Sequence, residues 1–418
     1  MRVEVLCTGD ELLTGLTVDT NSAYFMERLL PQGEQVARTT VVGDVREEIL
    51  EALATLSARA DVVLVSGGLG PTADDLTAAC AAEAAGVPLV ESTEALQALE
   101  ARFLKRGIVL TPNNRRQALV PRGAEVVLNP QGSAPMFVLR LRRATLFFLP
   151  GVPREYRFLV DAEVLPRIQR LRVGHPDATF LAFRLLRTVG LPESHLDARV
   201  APVAALHPHV NFGFRTQAPE NHLKLMASGR TQQEADAALA AAETASRAVL
   251  GSYLFGQDAQ RHPEVVGALL LRRKETVALA ESCTGGRIVD LLTSVSGASA
   301  WFPGGAVVYA NAMKEAWVGV RHQTLLTHGA VSEAVAREMA EGVRTAAHAT
   351  WGLSVTGIAG PTGGTEEKPV GTVFTALAGP QGTRAQQHRF PGDREQVRAF
   401  SAAAALEVLR HALLEASG

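Results

Sequence analysis

The chain is poor in cysteine and in lysine, has no long apolar run, and carries no marked excess of either charge. Its three cysteines, Cys7, Cys80 and Cys283, stand far apart without paired spacing. That excludes both a disulfide framework and a zinc site built on cysteine pairs. No stretch reaches the ~18 apolar residues that cross a bilayer, and Met1 leads straight into RVEVLC without a signal-peptide pattern. A cytoplasmic protein with no membrane partner is expected. With 41 basic and 43 acidic residues the formal net charge is −2, and the arginines are spread rather than gathered into a basic stripe. Nucleic acid is therefore not an expected partner. What remains is an ordinary globular composition, 47% hydrophobic and 20% charged over 418 residues. That length suits two or three domains of about 150 residues.

The lysine shortage is informative. Only five of the 41 basic residues are lysines: Lys105, Lys224, Lys274, Lys314 and Lys368. Arginine supplies plain positive charge here, so a retained lysine is a candidate for work that requires losing a proton. Lys105 and Lys274 sit in charged, helix-like stretches and read as surface residues.

The run TVALAESCTGGRIVDLL, Thr276 to Leu292, organises the last third of the chain. Five residues, Thr276 to Ala280, mostly β-branched or small, precede Glu281, Ser282, Cys283, Thr284, Gly285 and Gly286, and apolar residues then resume at helical spacing. The pattern predicts strand, tight turn and helix. Such a turn lifts its central side chain to the strand's carboxyl end, beside free N–H groups that suit an oxyanion. The bland alternative is a glycine pair that only permits a tight connection. Two later segments repeat the strand-then-loop pattern: AVVYANAMK brings Tyr309 and Lys314, and LSVTGIAG brings Thr356, Gly357 and Gly360. In an open α/β sheet these carboxyl-end loops converge. Ser282 is then a candidate nucleophile and Lys314 its base, if burial lowers the amine's pKa. Tyr309 relays a proton or orients substrate, and Arg394 in PGDR offers a fork for phosphate or carboxylate. The alternatives are a core tyrosine and a surface arginine. Cys283 is the rival nucleophile, but no histidine partner for it can be chosen from the sequence.

The first third opens as strand then helix, and a second glycine loop, GGLGPTADD, follows the buried strand at Val62 to Val65. Gly67, Gly68 and Gly70 allow backbone to approach a phosphate, and a helix start at Thr72 to Leu76 offers amides. Asp44 is read as a helix cap. Asp74 and Asp75 are placed to hold a divalent cation, or else merely favour a helix dipole in its first turn. Between Pro176 and Gly251 strands and helices alternate as a small α+β unit with no catalytic constellation. An intact GXXG loop is missing there, so a spacer or dimer contact is expected.

The segments GDELLTG, Asp19 with Asn21, VVGDVREEI, GGLGPTADD, NPQGSAP and LPGVPRE resemble the N-terminal domain of the competence/damage-inducible protein CinA family. AESCTGG, WFPGGAVVYANAMK, HGAVSE, TGIAGPTGG, KPVGTV and FPGDR resemble the nicotinamide mononucleotide deamidase family, which also forms the C-terminal half of CinA proteins. The resemblance implies three α/β or α+β domains. They are a three-layer molybdopterin-binding-like domain at 1–170, a KH-like middle domain at 171–255, and an α/β amidase domain at 256–418. It implies hydrolysis of the nicotinamide carboxamide by Ser282 and Lys314 without a cofactor, with Tyr309, Thr356 and Arg394 as site residues and Glu281, Thr284, Gly285, Gly286, Gly357 and Gly360 around the substrate. For the first domain it implies ADP-ribose pyrophosphate hydrolysis. There Mg, Mn or Co would be held by Asp44 and Asp75, with Asp74 alongside, and Asn21, Gly67, Gly68, Gly70, Thr72 and Asn129 would contact substrate. A homodimer is expected. One departure is Met136, where the family pattern has glycine after SAP. Two alternatives remain: only the deamidase works and the first domain binds nucleotide or dimerises, or the chain is a DNA-associated competence factor.

Overall fold

The computed structural model describes residues 1–173 and 180–415. The start of the small α+β unit expected from Pro176 therefore lies outside the described residues. The chain divides into two compact units, one of residues 1–183 with 227–237, the other of 184–226 with 238–418.

In the first unit, strands β1 (Val3–Thr8), β2 (Val36–Val42), β3 (Val62–Ser66), β4 (Glu125–Val127), β5 (Met136–Leu141) and β6 (Ala144–Leu149) form one sheet in the order β2-β1-β3-β6-β5-β4. The four strands β2, β1, β3 and β6 run parallel, β5 runs antiparallel to β6, and β4 antiparallel to β5. VEVLCT and VVLVS are buried at every position, the signature of parallel strands covered on both faces. Val3, Val5, Cys7, Val62 and Leu64 pack with Phe25 and Tyr156 on one side. Leu6, Val63 and Val65 pack with Ile49, Leu53 and Phe148 on the other. These are the three layers expected. From β1 the chain crosses to β2 on one side and to β3 on the other, so the carboxyl ends of β1 and β3 flank a topological switch point. Met136 opens β5 fully buried, as part of the core and not as a loop residue.

The middle segment forms a four-stranded sheet of β7 (Phe180–Val189), β8 (Val210–Gln217), β9 (Glu220–Gly229) and β10 (Leu254–Gln257) in the order β8-β9-β7-β10. In the last segment, β11 (Val277–Glu281), β12 (Gly304–Val307), β13 (Trp351–Gly357), β14 (Thr372–Gly379) and β15 (Gly382–Arg389) run in the order β12-β11-β13-β14-β15. The first three are parallel, β14 runs antiparallel to β13, and β15 antiparallel to β14. Here too the switch point falls between the first strand, β11, and the third, β13.

Helix 333–346 covers this sheet through Val335, Met339 and Val343. It also touches the end of helix 311–318, and the contact depends on Gly342, where a Cβ would lie 1.7 Å from the Val318 carbonyl oxygen. Gly342→Ala must push the two helices apart. A loss of about 1–3 kcal/mol is expected for such overpacking, read as a lower melting temperature. An unchanged melt would show that the helices slide without cost.

Candidate functional site

At the carboxyl edge of β11 the chain turns as the sequence predicts, and the helix begins at Arg287. Gly285 and Gly286 adopt φ of 61° and 92°, a region that favours glycine. Ser282 is 8% exposed, and its N–H donates to the Val355 carbonyl of β13. Lys314, on helix 311–318, is only 1% exposed. Its Nζ lies 3.2 Å from Ser282 Oγ, 2.9 Å from the Val308 carbonyl and 3.0 Å from the Tyr309 carbonyl. Burial depresses the Lys314 pKa, opposed by the nearby Cys283. The Cys283 thiol is pushed up to about 12 by burial, its own N–H opposing and Glu281 adding to the rise.

Tyr309 is not core: it is 58% exposed, and Arg394 holds its hydroxyl at 2.9 Å while reaching the Gly360 carbonyl at 2.7 Å. Arg394 thus joins two of the three loops. Thr356, buried, donates its hydroxyl to the Ala330 carbonyl at 2.8 Å, which makes it a brace between β13 and the HGAVSE turn. Thr284 is buried, and its hydroxyl has no hydrogen-bond partner among the described residues. Gly285 donates to the Ser282 carbonyl and Gly286 to Glu281, so neither offers a free amide to a substrate. Gly357 ends β13, and its absent side chain would strike Val373. Glu281 departs most from expectation. It is fully buried, and its carboxylate accepts the N–H groups of Gly286, Ile288 and Val289 at 3.0, 3.2 and 2.8 Å. It faces loop backbone rather than substrate. The sequence reading also missed Arg398, whose guanidinium donates to the Thr284 carbonyl at 2.9 Å. The signal was available, because Arg398 lies four residues after Arg394 on the same helix face.

The first unit holds a cavity of about 490 Å³ at the switch point, lined by Thr8 and Gly9 at the end of β1, Ser66 to Gly70 at the end of β3, and Pro150 and Gly151 after β6. Gly67 and Gly68 have φ of 106° and 64°, and a Cβ on them would fall 2.4 Å from the Thr8 carbonyl and 2.1 Å from the Thr77 hydroxyl. The glycines are needed for packing between the β1 and β3 loops as well as for access. The following helix starts at Thr77, not Thr72, so Asp74 and Asp75 stand in the turn before it. Asp75 accepts from the Gly70 N–H at 2.7 Å and the Thr72 N–H at 2.8 Å, and also from the Thr72 hydroxyl. With both oxygens engaged, it shapes the loop. Nor does Asp44 cap a helix, since Val45 stands at that position; Asp44 accepts from the Asp10 N–H, and Asp10 from the Asp44 N–H. Burial raises the Asp44 pKa against that N–H bond, and the charges of Asp10, Glu11 and Asp74 raise it further. Asp74 also borders the cavity, its pKa lowered by the Thr72 hydroxyl.

Among the described residues no three His, Cys, Asp or Glu side chains gather into a metal cage. The mutual repulsion at Asp44 nevertheless fits a cation of the kind that takes one or two carboxylates plus phosphate oxygens. Asp44 and Asp74 meet that description and Asp75 does not. Asn21 borders the cavity and donates to the Gly151 carbonyl at 2.8 Å. Asn129 does not border it; its amide ties the Ala134 carbonyl to Glu155. Arg116, which the sequence reading passed over, is exposed and borders a smaller pocket that shares Gly68, Gly70 and Asp75 with the large one.

Fold and sites together define a three-part α/β protein with a molybdopterin-binding-like first domain and a KH-like middle domain. Family models match as the probable molybdopterin binding domain at 4–170, the damage-inducible protein CinA KH domain at 183–256 and the CinA C-terminal domain at 259–413. The chain belongs to the CinA family. It is 56% identical to a CinA-like protein of Myxococcus xanthus (strain DK1622), over 100% of this chain and 99% of that one. It is 52% identical to a CinA-like protein of Anaeromyxobacter sp. (strain Fw109-5), over 99% of each. Among solved structures, a CinA protein of unknown function from Thermoplasma acidophilum is 34% identical, covering 40% of this chain and 97% of that one at a TM-score of 0.37. A CinA superfamily protein from Klebsiella pneumoniae 700603 is also 34% identical, covering 37% and 99% at a TM-score of 0.36. No helix among the described residues is long and apolar enough to cross a membrane.

Proposed function

We propose that the C-terminal site hydrolyses the carboxamide of nicotinamide mononucleotide to the acid, releasing ammonia. One observation carries the reading: a buried lysine amine 3.2 Å from a serine hydroxyl at the end of a parallel strand. Two of the amine's N–H groups are directed at the Val308 and Tyr309 carbonyls. In the neutral amine the remaining tetrahedral corner is the lone pair, and it points to Ser282. Ser282 Oγ attacks the carboxamide carbon, its proton passes to Lys314, and the carbonyl electron pair moves onto oxygen. As the tetrahedral species collapses, the C–N bond breaks and Lys314 returns the proton to the departing ammonia. Water then cleaves the ester by the same route. Arg394, which holds the Tyr309 hydroxyl, would bind the nucleotide phosphate. Ammonia release from nicotinamide mononucleotide tests this directly, and no release would end the reading.

For the first domain the acidic, glycine-walled cavity supports metal-dependent hydrolysis of the ADP-ribose pyrophosphate. A bound divalent cation would supply charge neutralisation and an activated water there. Asp44 and Asp74 would hold it, the glycine loop would cradle the phosphates, and Asp75 would keep that loop in shape. Asp44→Asn is expected to lower AMP formation from ADP-ribose on the order of 100-fold or more, with deamidation intact. Asp75→Asn should weaken substrate binding as well. If Asp44→Asn turns over normally, the cation is held elsewhere or the domain only binds nucleotide.

A further inference from the structure

Nearly every N–H group of the loop after β11 has an acceptor within the protein. The Ser282 N–H goes to Val355, that of Gly285 to the Ser282 carbonyl and that of Arg287 to the Thr284 carbonyl. The N–H groups of Gly286, Ile288 and Val289 go to Glu281. Two consecutive amides are left, those of Cys283 and Thr284. Neither donates to another group among the described residues.

Glu281 makes no ion pair among the described residues, although it is fully buried. Backbone amides from the loop end and the first turn of the following helix are its compensation, and Arg398 secures the same loop from the other side at the Thr284 carbonyl. Without Glu281 those three amides would be unpaired donors beside the nucleophile. They would compete for any negative charge developing there, and the left-handed Gly286 would lose its tether.

We propose that Glu281 is a positioning residue that occupies the amides at the start of helix 287–293, leaving the N–H groups of Cys283 and Thr284 as the oxyanion site for chemistry at Ser282. The assignment deepens the proposed amide hydrolysis and rests on Ser282 as its nucleophile, but not on the identity of the amide.

A serine-reactive fluorophosphonate separates these questions. Ser282 Oγ bonds to phosphorus, fluoride leaves, the serine proton passes to Lys314, and the phosphoryl oxygen takes the oxyanion position. Ser282 in the full-length protein should be labelled, and Glu281→Gln should be labelled on the order of 100-fold more slowly. In deamidation the same variant should lose kcat while KM stays within about threefold, because the oxyanion exists only in the transition state. Rescue is not expected from Glu281→Asp, whose shorter side chain cannot span the three amides. Hydrogen exchange on unmodified protein, before and after labelling, adds a test that no variant's folding affects: Cys283 and Thr284 should gain protection, with Gly286, Ile288 and Val289 unchanged. Equal labelling of wild type and a folded Glu281→Gln, an unlabelled wild-type Ser282, or protection appearing at 286–289 instead would each overturn the assignment. Slow labelling of the variant beside a wild type that releases no ammonia would uphold it and remove the proposed substrate.

Discussion

Ser282→Ala is expected to cut ammonia release from nicotinamide mononucleotide on the order of 10³-fold or more, the scale on which loss of a covalent nucleophile acts. Cys283→Ala is expected to retain most of it. The two residues are neighbours on one turn, so the contrast isolates chemistry from architecture. Sulfur is intrinsically the better nucleophile, but only as thiolate. With its pKa pushed up to about 12, the Cys283 thiol is almost wholly protonated near neutral pH. The buried Glu281 carboxylate works against its ionisation, and Lys314, the nearest base, has its Nζ on Ser282 Oγ. The hydroxyl therefore has a base, whereas the thiol is buried in the same apolar cluster as Leu279 and Ile288. Steady-state kinetics on both variants, with melting curves to confirm folding, checks the split. An inactive Cys283→Ala beside an active Ser282→Ala would exchange the roles.

Much of this site was legible in the sequence because its parts lie where chain order and sheet topology coincide. An apolar run ending in Ser-Cys-Thr-Gly-Gly announces a strand and a tight turn, and the scarcity of lysine singles out Lys314. Convergence of the loops follows from parallel strands alone. The residues that were misread are those whose partners are set by tertiary contact or by loop geometry. Glu281 suits either orienting the site or lining the substrate, and only the fold shows that its carboxylate turns back onto amides five to eight residues ahead. Asp75 has the spacing of a metal ligand, yet the 70–72 turn folds its N–H groups onto both oxygens. Asp44 precedes a helix, yet its partner is Asp10, 34 residues away. Local propensity cannot choose between a carboxylate that caps its own loop and one that faces a ligand, because the residue type suits both.

Lys314→Arg should fail nearly as badly as Lys314→Ala, each losing on the order of 100-fold or more in kcat/KM. A cationic anchor would tolerate the exchange, but a base cannot, since guanidinium stays protonated at any pH the protein meets. The pH dependence carries the same signature. Burial lowers the Lys314 pKa below the ordinary 10.5, and the neutral amine is the working form, so kcat/KM should climb as pH rises through the depressed value. Stability moves the same way. Below pH 10.5 the unfolded chain takes up a proton that the folded site resists, so the fold loses stability as pH falls toward the depressed pKa and no further below it. Lys314→Met, similar in length but uncharged, removes that cost and should melt at a higher temperature than wild type near neutral pH while releasing no ammonia. An active Lys314→Arg would reduce the lysine to an anchor. A Lys314→Met protein that melts lower at neutral pH would mean that its bonds to the Val308 and Tyr309 carbonyls outweigh the cost of burying the amine.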